Sequence, residues 1–141
     1  MKKHISIILI FALLLVAVVF CVLWQKAVHD KSDIEALAQV NATEAYTHFI
    51  EYQKTGDDAD YWGGVSAFYA FHEAYSLITA GTNKTANSIF CNEVYGSLLC
   101  SPEKSKVHIS EITDVMKILS ENVMDENGYL RMSELRNTLQ E

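Results

Sequence analysis

Residues 5–24 form one uncharged apolar run, ISIILIFALLLVAVVFCVLW, which limits the possible folds more than any other feature of this sequence. A helix of about 20 residues rises about 30 Å, the thickness of the hydrocarbon core of a bilayer. No face of such a helix is polar, so it lacks the amphipathic pattern of a helix that packs on a soluble core. We therefore expect a transmembrane signal anchor at residues 5–24, preceded by a short segment at residues 1–4.

The residues on either side of this run predict its orientation. Lys2 and Lys3 precede it, and retention of positive charge places residues 1–4 in the cytoplasm and the rest of the chain outside. A cleaved signal peptide is the alternative, but its apolar region normally covers about 7–15 residues and ends at small residues. The run here is longer, and CVLWQKAVHD shows no such cleavage pattern. We expect a single-pass protein of a bacterial cell membrane with its C-terminal part outside the cytoplasm.

The remainder of the chain is predicted to be a short tether, residues 25–32, followed by one extracytoplasmic domain, residues 33–141. All 18 acidic residues follow the apolar run, but only nine of the 11 Lys and Arg residues do, giving this part a formal charge of −9. Nucleic acids and anionic lipids are bound by basic patches, so nucleic acid is excluded as a partner. Membrane contact is expected through residues 5–24 alone.

Helical periodicity extends through the whole outer part. A capping box at Ser32 and Glu35 predicts a first helix that continues to about Lys54. Further helices are predicted at residues 61–80, 86–99, 111–122 and 130–139. The predicted fold class is all-α, with a single N-terminal transmembrane helix followed by a compact bundle of four or five helices.

The second predicted helix is rich in aromatic residues: Tyr61, Trp62, Phe68, Tyr69, Phe71 and Tyr75. They are spread around the helix, so they cannot all face a single core stripe. Tyrosine and tryptophan are frequent anchors of binding surfaces, which suggests a partner-binding surface at Trp62, Tyr69 and Tyr75. The alternative is a central helix that is buried on most sides, with hydroxyl groups reaching its rim.

Near the end of the chain, residues 123–135 read VMDENGYLRMSEL and resemble an EF-hand loop of the calmodulin kind. The resemblance implies Ca²⁺ as a cofactor, with ligands at Asp125, Asn127, Tyr129 and Glu134. It departs from the family at the first ligand position, where Val123 replaces a carboxylate. The alternative is a helix-turn-helix connector built on the Asn-Gly turn, with no cofactor.

The sequence contains no complete catalytic pattern. His72-Glu73 begins the zinc-protease motif H-E-x-x-H, but Ser76 occupies the position of the second histidine. There is no G-x-S-x-G nucleophile elbow, and the glycines do not have the spacing of a phosphate-binding loop. We therefore expect no enzymatic activity and no catalytic residues.

Two cysteines of the outer part, Cys91 and Cys100, admit two interpretations. They can form a disulfide in an oxidising compartment, or they can remain free thiols. The leading functional hypothesis is a non-enzymatic, membrane-anchored helical protein that acts through protein–protein contacts. The alternative is a calcium- or metal-responsive module that uses residues 123–134.

Overall fold

The computed structural model describes residues 2–140, with side chains described from residue 16 onward. This part of the chain is all-helical and contains no strand, which confirms the all-α part of the predicted fold class. Its helices are α1 (Lys2–Thr55), α2 (Asp58–Thr79), α3 (Thr85–Cys100), α4 (Pro102–Val107), α5 (Ile109–Glu121) and α6 (Glu126–Gln140).

The chain divides into two units, residues 1–33 and 34–141. In the first unit, residues 16–33 are helical and exposed, whereas the side chains of residues 5–15 of the predicted anchor lie outside the described part. Among the described residues, no helix is both long enough and apolar enough to cross a membrane.

The predicted tether is helical, which corrects the expectation of a break before the domain. Residues 25–32 belong to α1, so Ser32 does not begin a helix. The segment QKAVHDKS contains neither glycine nor proline, and nothing in it forces a helix to end. The capping-box pattern therefore occurs inside a helix.

The second unit has one apolar core, to which α1, α2, α3, α5 and α6 all contribute buried side chains. Helix α1 contributes the small residues Ala38, Ala42 and Ala45, and then Phe49. Gly64 of α2 lies directly against the Phe49 ring, where a Cβ atom would meet the ring carbons. Gly64 thus allows α2 to approach α1 closely at Phe49.

Helix α3 runs antiparallel to α2, and a buried hydrogen bond fixes its end. Tyr61 Oη donates to the carbonyl oxygen of Leu98 at 2.8 Å. That carbonyl would normally accept from the amide four residues later, but residue 102 is proline and has no N–H. The hydroxyl of Tyr61 supplies the missing donor, and Pro102 begins α4, a helix that the sequence pattern did not predict.

Helix α6 begins at Glu126, four residues earlier than predicted. Asp125 accepts a hydrogen bond from the amide of Gly128 at 2.9 Å, which is the interaction of a helix N-cap. Gly128 does not have a positive φ angle, and a Cβ atom there would lie 2.7 Å from Cδ2 of Leu119. The glycine therefore allows α6 to pack closely on α5 instead of forming a turn.

Candidate functional site

The most distinctive exposed feature of the second unit is a pair of aromatic side chains on α2. Trp62 is 43% exposed and Tyr69 is 45% exposed. They are seven residues apart, nearly two full turns, so they lie on the same face of the helix about 10 Å apart. The structure thus brings together two of the three predicted partner-binding residues.

The third predicted residue, Tyr75, is fully buried, and its assignment to a binding surface is wrong. Its ring stacks on Tyr129 with the centroids 4.5 Å apart, and its hydroxyl accepts a hydrogen bond from Asn87. Tyr75 is buried because it lies about 220° around the helix from Trp62, on the side of α2 that faces the core. The alternative interpretation, a central core helix, applies to the four buried aromatic residues of α2: Tyr61, Phe68, Phe71 and Tyr75.

Three more exposed side chains share the face of Trp62 and Tyr69. We define the aromatic face of α2 as Asp58, Trp62, Ser66, Tyr69 and Glu73, all exposed. At 100° per residue these five positions span an arc of about 80°. The carboxylates lie at the two ends of this row, and the aromatic rings lie between them.

Both exposed rings are held against other aromatic rings. Trp62 packs edge-on against the buried Tyr61, with centroids 5.2 Å apart. Tyr69 lies 5.0 Å from the ring of Tyr95, a half-buried residue of α3. Such contacts restrict the rotamers of the exposed rings, which lowers the entropy lost when a partner binds. Sequence patterns did not identify Tyr95, because its contact with Tyr69 depends on how two helices pack.

The electrostatic surroundings of the aromatic face are acidic. Helices α2 and α3 contain no Lys or Arg, whereas α2 carries three acidic residues: Asp58, Asp60 and Glu73. The nearest cation is Lys106 of α4, whose Nζ lies 2.8 Å from Oδ1 of Asp58 and 5.3 Å from the centroid of the Tyr61 ring. The hydrogen bond with Asp58 is the main cause of the raised pKa of Lys106.

His72 lies behind the aromatic face and is only 8% exposed. Its Nε2 lies 3.2 Å from Oγ of Ser76, which in turn contacts Oγ of Ser88 on α3. Its Nδ1 lies 3.4 Å from a carboxylate oxygen of Glu73 but makes no hydrogen bond. Burial lowers the pKa of His72. The residue at the zinc-motif position is thus part of a polar contact between two helices.

The four predicted calcium ligands do not converge in this structure. Asp125 caps α6, and Asn127 is exposed in its first turn. The predicted ligand atom of Tyr129 is its backbone carbonyl oxygen, which lies inside α6, where it accepts a hydrogen bond of the helix. Its side chain is buried, and the hydroxyl donates to the carbonyl of Val123 at 2.7 Å. Glu134 lies about 13 Å along the helix from Asp125, whereas calcium ligands lie about 2.3–2.6 Å from their ion. Within the described part of the chain, no three His, Cys, Asp or Glu residues form a metal-binding group.

Cys91 and Cys100 are free in the structure, Cys91 buried and Cys100 exposed. Both lie on α3, and nine residues of helix separate their Cα atoms by about 13 Å. A disulfide requires Cα atoms within about 7 Å, so this bond is incompatible with an intact α3. The free-thiol interpretation fits the helix.

Comparisons of this chain with protein-family models, with curated proteins and with solved structures find no match. Its function is therefore inferred from its own residues, and the aromatic face of α2 is the candidate site.

Proposed function

We propose that this protein is a non-enzymatic, single-pass membrane protein whose extracytoplasmic helical domain acts through protein–protein contacts at the aromatic face of α2. The observation that carries the proposal is the exposure of Trp62 and Tyr69 side by side on one face. Trp and Tyr combine a large apolar area with few rotatable bonds, so they are frequent energetic centres of protein interfaces. In this protein both are exposed on one face, and each ring packs against another aromatic ring. These are the features of side chains that contribute strongly to partner binding.

Exposed apolar residues of α1 support the membrane part of this proposal. Phe20 is 68% exposed, Leu23 60% and Trp24 66%. Together with Val18 and Val22, which are also exposed, these residues point to several sides of the helix. Apolar side chains on all sides are unfavourable in water and favourable in lipid. Trp24 comes last in the run, where an aromatic ring suits the level of the lipid headgroups.

Site-specific photocrosslinking in the producing cell tests the contact surface. A photoreactive phenylalanine analogue at position 62 or 69 should give discrete crosslinked adducts with a partner. The same analogue at position 107 or 130 serves as the control, because Val107 and Leu130 are exposed but lie outside the aromatic face. Equal adducts from all four positions, or none from positions 62 and 69, would contradict the proposed surface.

Thiol labelling tests the membrane topology independently. Cys21 and Cys100 are exposed and Cys91 is buried, so all proteins in this test carry Cys21→Ala, and a membrane-impermeant maleimide should then modify Cys100 in intact cells. In a Cys100→Ser variant that also carries His4→Cys, the new thiol near the N-terminus should react only after the membrane is permeabilised. Labelling of His4→Cys in intact cells, or protection of Cys100 until lysis, would refute the predicted orientation.

A further inference from the structure

Two side-chain clusters of this protein combine a cation, an aromatic ring and a carboxylate. Lys106 Nζ lies over the Tyr61 ring and pairs with Asp58 and Glu103 at 2.8 and 3.1 Å. The Arg136 guanidinium lies over the Phe90 ring, 5.0 Å from its centroid, and pairs with Glu93 at 3.3 Å. Each cluster holds a cation between an aromatic ring and a carboxylate.

The aromatic face repeats this combination of groups on the surface. Trp62 and Tyr69 provide two exposed rings, and Asp58 and Glu73 provide a carboxylate one turn beyond each ring. The rings attract cations through their negative faces, and tryptophan does so most strongly. Lys106 lies next to Oδ1 of Asp58, and the second oxygen of that carboxylate can accept another donor.

We propose that the aromatic face binds a cationic polypeptide segment, with Lys or Arg side chains placed over Trp62 and Tyr69 and paired with Asp58 and Glu73. This inference rests on the proposed function and specifies the chemistry of the partner. The absence of Lys and Arg from α2 and α3 supports it, since the carboxylates of these helices repel an acidic segment and the neighbouring Lys106 is already paired with Asp58 and Glu103.

The spacing of the two rings defines the segment further. Trp62 and Tyr69 are about 10 Å apart along α2. A polyproline II segment advances about 3.1 Å per residue with three residues per turn, so two cationic residues three positions apart lie on the same side and roughly match this distance. Carboxylates beyond each ring favour further Lys or Arg residues at the ends of the segment.

A fluorescence titration of the full chain in a neutral detergent tests the proposal. The chain has two tryptophans, so a Trp24→Phe background leaves Trp62 as the only tryptophan emitter. The probe is a short Gly/Ser peptide with two Arg residues three positions apart, and the matched control peptides carry Gln or Glu at those positions. We expect the Arg peptide to bind at least about tenfold more tightly than the Gln peptide and to weaken severalfold between about 20 and 200 mM salt.

Substitutions on the face then locate the binding site. Tyr69→Ala should weaken Arg-peptide binding by about three- to fivefold, as expected for the loss of one exposed cation–π contact. Glu73→Gln should weaken it by about twofold to threefold. Leu130→Ala is the control, because Leu130 is 61% exposed on α6, and this variant should bind unchanged. Each variant is first compared with the parent by its melting temperature. Tyr69→Leu, which removes the aromatic ring but keeps an apolar side chain, serves if Tyr69→Ala is unstable.

Three outcomes would overturn the proposal. If the Gln peptide binds as tightly as the Arg peptide and Tyr69→Ala weakens both, the face is a docking surface for apolar segments, and the proposed function survives without the cationic partner. If neither Tyr69→Ala nor Glu73→Gln affects Arg-peptide binding, the peptide binds elsewhere. If Trp62 emission changes with protein concentration alone and Tyr69→Ala abolishes this change, the face is a contact between two copies of the chain.

Discussion

Replacement of Gly64 by alanine tests the packing that determines which side of α2 faces solvent. A Cβ atom at position 64 would lie 2.9 Å from Cζ of Phe49 and closer still to two other carbons of the ring. The Phe49 side chain is fully buried, so its ring has no open space to move into. The substitution must therefore push α1 and α2 apart or force the Phe49 ring from its rotamer.

The size of the effect follows from two opposing contributions. Alanine has a higher helix propensity than glycine by about 1 kcal/mol, which stabilises the variant. Overpacking of a well-packed core costs typically about 1–3 kcal/mol, and a contact this short falls at the upper end. We expect Gly64→Ala to lower the free energy of unfolding by about 2 kcal/mol. For a domain of about one hundred residues, this lowers the melting temperature by about 8 °C.

Gly96→Ala is the matched control on another helix. Gly96 lies inside α3, and no heavy atom lies within 4 Å of the Cβ position there. The propensity gain is then unopposed, and we expect the melting temperature to rise by about 4 °C. Thermal unfolding of both variants, followed by far-UV circular dichroism under the same conditions, compares the two signs directly.

The opposite signs are the decisive result. If Gly64→Ala is as stabilising as Gly96→Ala, then α1 does not approach α2 at Gly64. The assignment of the opposite side of α2 to solvent would then lose its structural basis. Destabilisation by both substitutions would instead show that space also limits position 96.

Three other substitutions test the interior and the pH response. Val123 is 5% exposed, so Val123→Asp should place a carboxylate in the core and lower the melting temperature. Titration of this variant with calcium should give no heat, and a rise of its melting temperature with calcium would refute the prediction. Tyr61→Phe should cost about 1–3 kcal/mol in urea unfolding, because the Leu98 carbonyl loses its donor; an unchanged midpoint would contradict that role. Burial lowers the pKa of His72 below 6.5, so the unfolded chain takes up the proton first as the pH falls. The stability of the fold should therefore decrease as the pH drops below about 6.5. His72→Gln should reduce this pH dependence of the melting temperature, and an unaltered pH dependence would assign it to other groups.

Local signals predicted most helix ends correctly to within a few residues. Gly81, with a φ angle of +73°, follows the end of α2, and Ser101, the residue before Pro102, separates α3 from α4. Such signals act within a single turn of the chain, so they are visible without the fold. The start of α6 shows their limit. Asn127-Gly128 is typical of a turn, but the cap at Asp125 and the contact of Gly128 with Leu119 favour a helix there.

The division of the aromatic residues of α2 between core and surface could not be predicted from their positions on α2 alone. Tyr69 and Tyr75 are chemically identical, yet Tyr69 is exposed and Tyr75 is buried, because the neighbouring helices cover only part of α2. Their positions depend on side chains of other helices that are distant in sequence, such as Phe49 of α1 against Gly64 and Tyr129 of α6 against Tyr75. The same dependence hid the contact between Tyr69 and Tyr95.

Gly64 nevertheless provides a sequence signal for that division. A glycine in the middle of a helix costs about 1 kcal/mol, and Gly63-Gly64, unlike the single Gly96, is a pair in which both members lie against side chains of α1. Gly64 is two residues after Trp62, which places it about 200° around α2 from that side chain. Phe68, Phe71 and Tyr75 lie near the angle of Gly64 and are buried, whereas Trp62 and Tyr69 lie opposite and are exposed. The packing of α1 against Gly64 therefore also leaves Trp62 and Tyr69 exposed, on the surface where we propose that a partner binds.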